Sequence, residues 1–117
     1  MEPKELALRA AEILDSKKAE RVAVLHVHDI TVMADYFVIA SGTSSTHVHA
    51  LSDEVEVKLK EAGTAPLRVD GFQSDSWRVI DYGSVIVHVF SKEARDHFDL
   101  EHLWADGENV PLPFAGA

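Results

Sequence analysis

The chain has 117 residues, and its 11 Lys and Arg against 20 Asp and Glu give a formal charge of −9, which repels phosphate backbones, argues against a general nucleic-acid binder and favours a basic partner. That length predicts one domain, able to bury roughly two thirds of its unfolded surface without staples. With zero cysteines, disulfides, thiolate chemistry and Cys-based metal sites are excluded, and a reducing, cytoplasmic setting is the default expectation.

The opening MEPKELALRAAEIL has acidic residues and helical spacing where a secretory signal needs a basic start and an unbroken apolar run. Apolar runs such as YFVIA and VIV fall far short of the roughly 18 residues that span a bilayer, so a soluble protein without membrane contact is expected. Pro3 suits a first helical turn, and Leu6, Ala10, Ile13 and Leu14 recur on one face through about Lys18, predicting an amphipathic helix that covers a sheet. The one positive cluster, Lys17, Lys18 and Arg21, falls at the end of this helix, where cations complement the macrodipole.

Val22 to His28 alternates and is rich in Val, predicting a strand; a polar-leaning connection over 29–34 leads to a second strand, Asp35 to Ser41. Gly42, Thr43, Ser44 and Ser45 then break the strand and supply capping hydroxyls for a helix with Val48, Leu51, Val55 and Leu59 on one side, ended by Gly63. Pro66 to Phe72 predicts a third strand, followed by a polar loop from Gln73 to Ser76.

WRVIDYGSVIVHVF, Trp77 to Phe90, reads as a β-hairpin around Tyr82, Gly83 and Ser84, and a two-residue loop starting at Tyr82 or at Gly83 gives the same facing of side chains. Ile80, Tyr82, Val85, Val87 and Val89 then share one face, which is plain core. Trp77, Val79, Asp81, Ile86, His88 and Phe90 share the other. The second face mixes two large aromatics with a carboxylate and an imidazole, as suits a surface that dries only when something docks on it.

The segment SKEARDHFDLEHLWADG returns to helical spacing, with Phe98, Leu103 and Trp104 as apolar anchors and Leu100 as a further candidate. After it, PLPFAGA is expected to fray or drape on the surface, giving a domain over 1–106 and a short tail over 107–117. Five strands and three helices in this order predict an α/β sandwich: a five-stranded mixed sheet with helices mainly on one face. The opposite face is expected to be open, with the Trp77 side of the hairpin on it.

Three chemistries are tempting. His26 and His28 are spaced to share a strand face, but His47 and His49, two apart on a helix, point away from each other; no carboxylate stands at compelling spacing, so solvated or hydrogen-bonding histidines are expected, with no metal and no cofactor. A strand running into Gly42, Thr43, Ser44 and Ser45 resembles the Gly-Ser turn of nucleotidyl transferases, which sets amides and a hydroxyl against a triphosphate. That reaction also needs paired metal-holding carboxylates on an adjacent strand, where LRVDGF offers Asp70 alone. Asp81 and His88 share a hairpin face, yet nothing supplies a nucleophile, an oxyanion site or a cleft, so no catalytic residue is assigned. What remains is the aromatic face. Large aromatics bury on the order of 150 to 250 Å² each, so Trp77 and Phe90 together approach a patch that soluble monomers rarely expose. The alternative is that Trp77 fills a core under the C-terminal helix and Phe90 closes the sheet edge, and pattern alone does not decide between them.

DYFVIASGTS (Asp35 to Ser44), the DG at Asp70 and Gly71, W-x3-DYG (Trp77 to Gly83), VIVHVF (Val85 to Phe90) and ARDHFDLEHLW (Ala94 to Trp104) resemble, in order and spacing, the ribosome silencing factors, or Iojap-like family. The resemblance runs from about Leu6 to Asp106. It implies an α/β domain with nucleotidyltransferase-like topology but without that activity. It further implies a translational repressor that binds a basic protein of the large ribosomal subunit, the one numbered fourteen, on the subunit-joining face, blocking the small subunit in starvation or stationary phase. Carried onto this chain, the implied partner-binding positions are Trp77, Val79, Asp81, Ile86, His88 and Phe90, with Asp70 and Gly71 as weaker candidates. Tyr82 and Gly83 match the motif but suit the turn, and packing or helix-end ion pairs account for Arg95, Glu101 and Trp104. Asp70 stands where Glu is usual in the family, which shortens the carboxylate's reach. A homodimer through the same aromatic face is an alternative use of it.

Overall fold

Pro3–Ser16 form α1, whose buried stripe of Leu6, Ala7, Ala10, Ala11 and Leu14 is mostly small, so the helix lies close on the sheet. It belongs to a computed structural model that describes residues 1–28, 34–71, 76–103, 105 and 107–114. The sheet strands are β1 (Glu20–His26), β2 (Tyr36–Gly42), β3 (Arg68–Asp70), β4 (Trp77–Asp81), β5 (Val85–Ser91) and, after the last helices, β6 (Glu108–Asn109). Between β2 and β3 runs α2 (Ser45–Glu61), whose N-cap Ser44 Oγ accepts from the His47 N–H. Beyond β5 the chain turns directly into α3 (Lys92–Phe98) and α4 (Leu100–Leu103).

Strand order is β3-β4-β5-β2-β1-β6, with β5 parallel to β2 and the other neighbours antiparallel. This is a mixed sheet of six strands, not the expected five. The missed strand is β6, which pairs Asn109 with Leu25 and Glu108 with His26. The segment after residue 106 is therefore partly built into the sheet: Val110 is buried in the core, with Leu112 and Phe114 packed against it. Two polar residues leave no alternation to read, which is why β6 escaped detection.

On one face, α1 and α2 cover Val24, Val38, Ala40, Ile80, Tyr82, Val85, Val87 and Val89, the hairpin set expected as core. Leu25, Phe37, Ile39, Ile86 and Phe90 form a second cluster on the other face. That face is not bare. Ser91 caps α3 immediately after β5, accepting from the Ala94 N–H, so α3 folds back over it and Ala94 joins the cluster. The expected single C-terminal helix is also broken: Asp99 adopts a left-handed φ of 48 and separates α3 from α4. Trp104, the side chain of Leu103, Phe72 and most of the two expected loops lie outside the described residues.

Arg95 fastens this return. It is 2 % exposed, donates from Nε and Nη2 to the two Glu101 carboxylate oxygens at 2.9 Å each and reaches Ser41 Oγ on β2 at 3.0 Å. These hydrogen bonds hold the Glu101 carboxyl below the usual carboxylate range against its partial burial. A bulge between Glu20 and Ala23 lets Arg21, at φ 52, bring a second guanidinium to Asp96 at 3.0 Å and Glu101 at 3.8 Å. Among the described residues no helix is long and apolar enough to cross a membrane. Replacing Arg95 with Ala removes a buried hub and leaves Ser41 without its donor, so we expect a loss of about 2–3 kcal/mol in urea denaturation, with the rest of the fold retained by circular dichroism.

Candidate functional site

The hairpin sets the site. Gly83, at φ 87, and Ser84 form its two-residue loop, and Tyr82 N–H donates to the Val85 carbonyl at 2.8 Å. Trp77 then pairs with Phe90, Val79 with His88 and Asp81 with Ile86, so all six hairpin positions expected together do share one face. Their exposure differs from expectation. Phe90 is 1 % exposed, His88 8 % and Ile86 9 %, so the picture of two wet rings fails for Phe90, which lies beneath its own chain. Trp77 is half-buried. Its indole stacks on Phe90 at 5.0 Å between centroids and meets Phe98 at 4.6 Å.

Phe98 is the residue that sequence reasoning placed wrongly. It was expected as a helix anchor, but it ends α3 with 46 % of its surface exposed. Among the described residues, Trp77, Val79, Leu100 and Phe98 therefore lie outermost on this face, over the buried Phe90, His88 and Ile86. The break at Asp99 leaves Phe98 beside the indole, and nothing in the helical spacing signals that break.

His88 sits on the sheet among Phe37, Trp77 and Phe90, with ring centroids 5.2, 6.0 and 6.1 Å away. Trp77 Nε1 donates to His88 Nδ1 at 3.2 Å. Since an indole nitrogen only donates, the proton of the neutral imidazole is on Nε2, which finds no partner among the described residues. A buried orphan donor of this kind costs about 1–3 kcal/mol. Burial lowers the His88 pKa from 6.5 to about 4.

Asp81 serves the turn: its Oδ1 accepts from Gly83 N–H at 2.7 Å and its Oδ2 stands 3.4 Å from Arg68 Nε. It is not engaged with His88. Asp70 is exposed on β3 opposite Val79. Gly71 has a structural task, since at φ 78 an added Cβ would lie 2.2 Å from the Trp77 carbonyl oxygen.

The other histidines make hydrogen bonds. His47 Nδ1 accepts from Thr43 N–H at 2.9 Å and its Nε2 donates to the Lys17 carbonyl at 2.8 Å, tying the start of α2 to the end of α1. His49 Nδ1 accepts from Arg78, and His28 pairs with Asp35. No cluster of three metal-ligating side chains occurs among the described residues. At the carboxyl ends of β2 and β5 a 290 Å³ groove is lined by Gly42 to Ser45 and Ser91 to Glu93. Its hydroxyls Ser44 and Ser91 are occupied as helix caps.

The family model for ribosomal silencing factor during starvation (RsfS) matches residues 1–116. The chain belongs to this family. Ribosomal silencing factor RsfS of Halalkalibacterium halodurans is 38 % identical over 112 residues, 96 % of each chain, and that of Bacillus subtilis is 36 % identical over 114 residues, 97 % of each. A mouse relative named mitochondrial assembly of ribosomal large subunit protein 1 is 33 % identical over 95 residues, 79 % of this chain and 42 % of its own. Among solved structures, a Chromobacterium violaceum protein superposes with a TM-score of 0.87 at 34 % identity, covering 100 % of this chain and 97 % of its own. In this chain the fold is an α/β sandwich whose second face, among the described residues, leaves Trp77 and Phe98 partly exposed.

One pH dependence follows. The unfolded imidazole titrates near its ordinary 6.5 and the folded one near 4, so between these values the unfolded chain binds a proton that folded His88 refuses. The corresponding stability is complete above pH 6.5 and is lost as pH falls toward 4. At about 1.4 kcal/mol per unit, we expect roughly 2–3 kcal/mol of extra loss between pH 7.5 and 4.5 in wild type relative to His88→Phe, read from paired urea denaturation curves.

Proposed function

We propose that this silencing factor represses translation without chemistry, by occupying a basic protein of the large ribosomal subunit, the one numbered fourteen, so that the small subunit cannot join. The single observation that carries the reading is the contact of Trp77 with the exposed Phe98 at 4.6 Å. Large partly exposed rings are the anchors on which protein interfaces concentrate their energy. Val79 extends the apolar strip, and Asp70 and Asp99, both exposed, flank it with negative charge. A chain of net charge −9 is drawn to a basic surface and approaches it faster than a neutral one would.

The assignment of contacts shifts with the burial. Trp77, Phe98, Val79 and Asp70 are proposed to touch the partner. Ile86, His88 and Phe90 support them from beneath, while Asp81 and Gly71 hold the hairpin and the turn into it. Action by occupancy in the cytoplasm, with no cofactor, is part of the same proposal, as is a nucleotidyltransferase-like topology without that activity. A homodimer through the same rings would compete with the ribosome, and it is the outcome that concentration-dependent sedimentation would expose.

Trp77→Ala and Phe98→Ala are each expected to weaken binding to isolated large subunits by about 2 kcal/mol, close to 30-fold, while leaving the fold intact. Co-sedimentation with purified large subunits, with joined ribosomes as the contrasting sample, measures this. Wild-type retention of both variants would remove the face from the interface.

A further inference from the structure

Nothing about the second face requires a histidine at position 88 for packing. Its cross-strand neighbours are Val79 and Ile39, its ring neighbours are Phe37, Trp77 and Phe90, and an apolar ring there would leave no orphan Nε2 donor. The imidazole does one thing that a phenyl ring cannot: its Nδ1 accepts the indole N–H of Trp77 at 3.2 Å.

That bond matters because of where Trp77 stands. It opens β4, partly exposed, and indole χ2 is broad rather than three-welled, so a partly wet ring has more than one orientation open to it. Stacking on Phe90 at 5.0 Å fixes the plane in which the ring lies. The hydrogen bond fixes which edge of the ring points inward, and so which edge is presented beside Phe98. An anchor whose orientation is set before docking loses less freedom when it docks.

We infer that His88 is a positioning residue of the docking face, holding the Trp77 indole in its binding orientation through Nδ1 while never touching the partner. This rests on the reading of Trp77 as an anchor. It replaces direct contact at His88 by action through its neighbour. The neutral imidazole that this role requires agrees with the depressed pKa.

Full-length variants test the inference in two measurements: the Trp77 indole N–H resonance in 15N–1H spectra, assigned with Trp77→Phe, and co-sedimentation with isolated large ribosomal subunits. His88→Phe keeps a ring but has no acceptor. It should shift the indole resonance, speed its exchange with solvent and weaken binding about fivefold or more. His88→Leu serves in its place if that variant does not fold. His88→Asn puts a carbonyl oxygen where Nδ1 was, and should keep both the bonded resonance and binding within about twofold of wild type. If Trp77→Ala weakens binding but His88→Phe does not, the inference fails and the docking face stands. If His88→Asn and His88→Phe weaken binding equally although the former keeps the bonded resonance, His88 acts by packing and the inference fails. If Trp77→Ala binds like wild type, the docking face fails and takes the inference with it.

Discussion

A central strand that is apolar on both faces needs two covers, and β5 is such a strand. From Val85 to Phe90 every residue is buried, with Val85, Val87 and Val89 under α1 and α2 and Ile86, His88 and Phe90 on the opposite side. The long helices are spent on the first face. The second must be covered by whatever the chain brings next, and that is a seven-residue helix turned back by the Ser91 cap and pinned by Arg95 to Ser41 and Glu101. A helix of that length covers the end of the strand and not the whole face. Among the described residues, the half-buried indole and the exposed Phe98 ring are what this shortfall leaves.

Much of this was legible in the residues. Hairpin parity was secure because side chains alternate with a period of two and because Gly83 supplies the positive φ that the loop demands. The cap at Ser44 and the stripe on α2 were equally plain. What escaped shares one cause: it depends on contacts distant in sequence. Asp99 reaches the left-handed region at a cost that no neighbour advertises, and this converts one helix into two and sets Phe98 beside Trp77. β6 is two polar residues defined only by the edge of β1 that they meet. Phe90 could be read as wet or buried until the fold-back of α3 decided it.

Arg78 illustrates the same limit on the core side. Alternation puts it on the face of Ile80 and Tyr82, and it is indeed buried there, at 6 % exposure. Local pattern offers no reason for a cation in that position. α2 supplies three partners: Ser52 Oγ accepts from Nε at 3.1 Å, His49 Nδ1 stands 2.9 Å from Nη1, and Asp53 lies 3.9 Å from Nη2. A guanidinium with several fixed partners sets the register of α2 on the sheet more sharply than apolar contact alone, since hydrogen bonds from its rigid fork are directional.

Partial cover also resolves a conflict that an open aromatic face would create. A bare sheet surface with two wet rings is sticky toward every chain that meets it. With Phe90 lying under Trp77 and Phe98, the apolar area these rings expose shrinks to fractions of two large side chains. At about 25 cal/mol per Å², some 200 Å² gives only ~5 kcal/mol gross, against an association cost of roughly 4 to 15 kcal/mol. Such a patch holds nothing by itself. On the proposed docking role, selectivity falls to what surrounds it: a partner would have to add charge complementary to Asp70 and Asp99 and fit rings already oriented, and a surface lacking either would gain too little to stay.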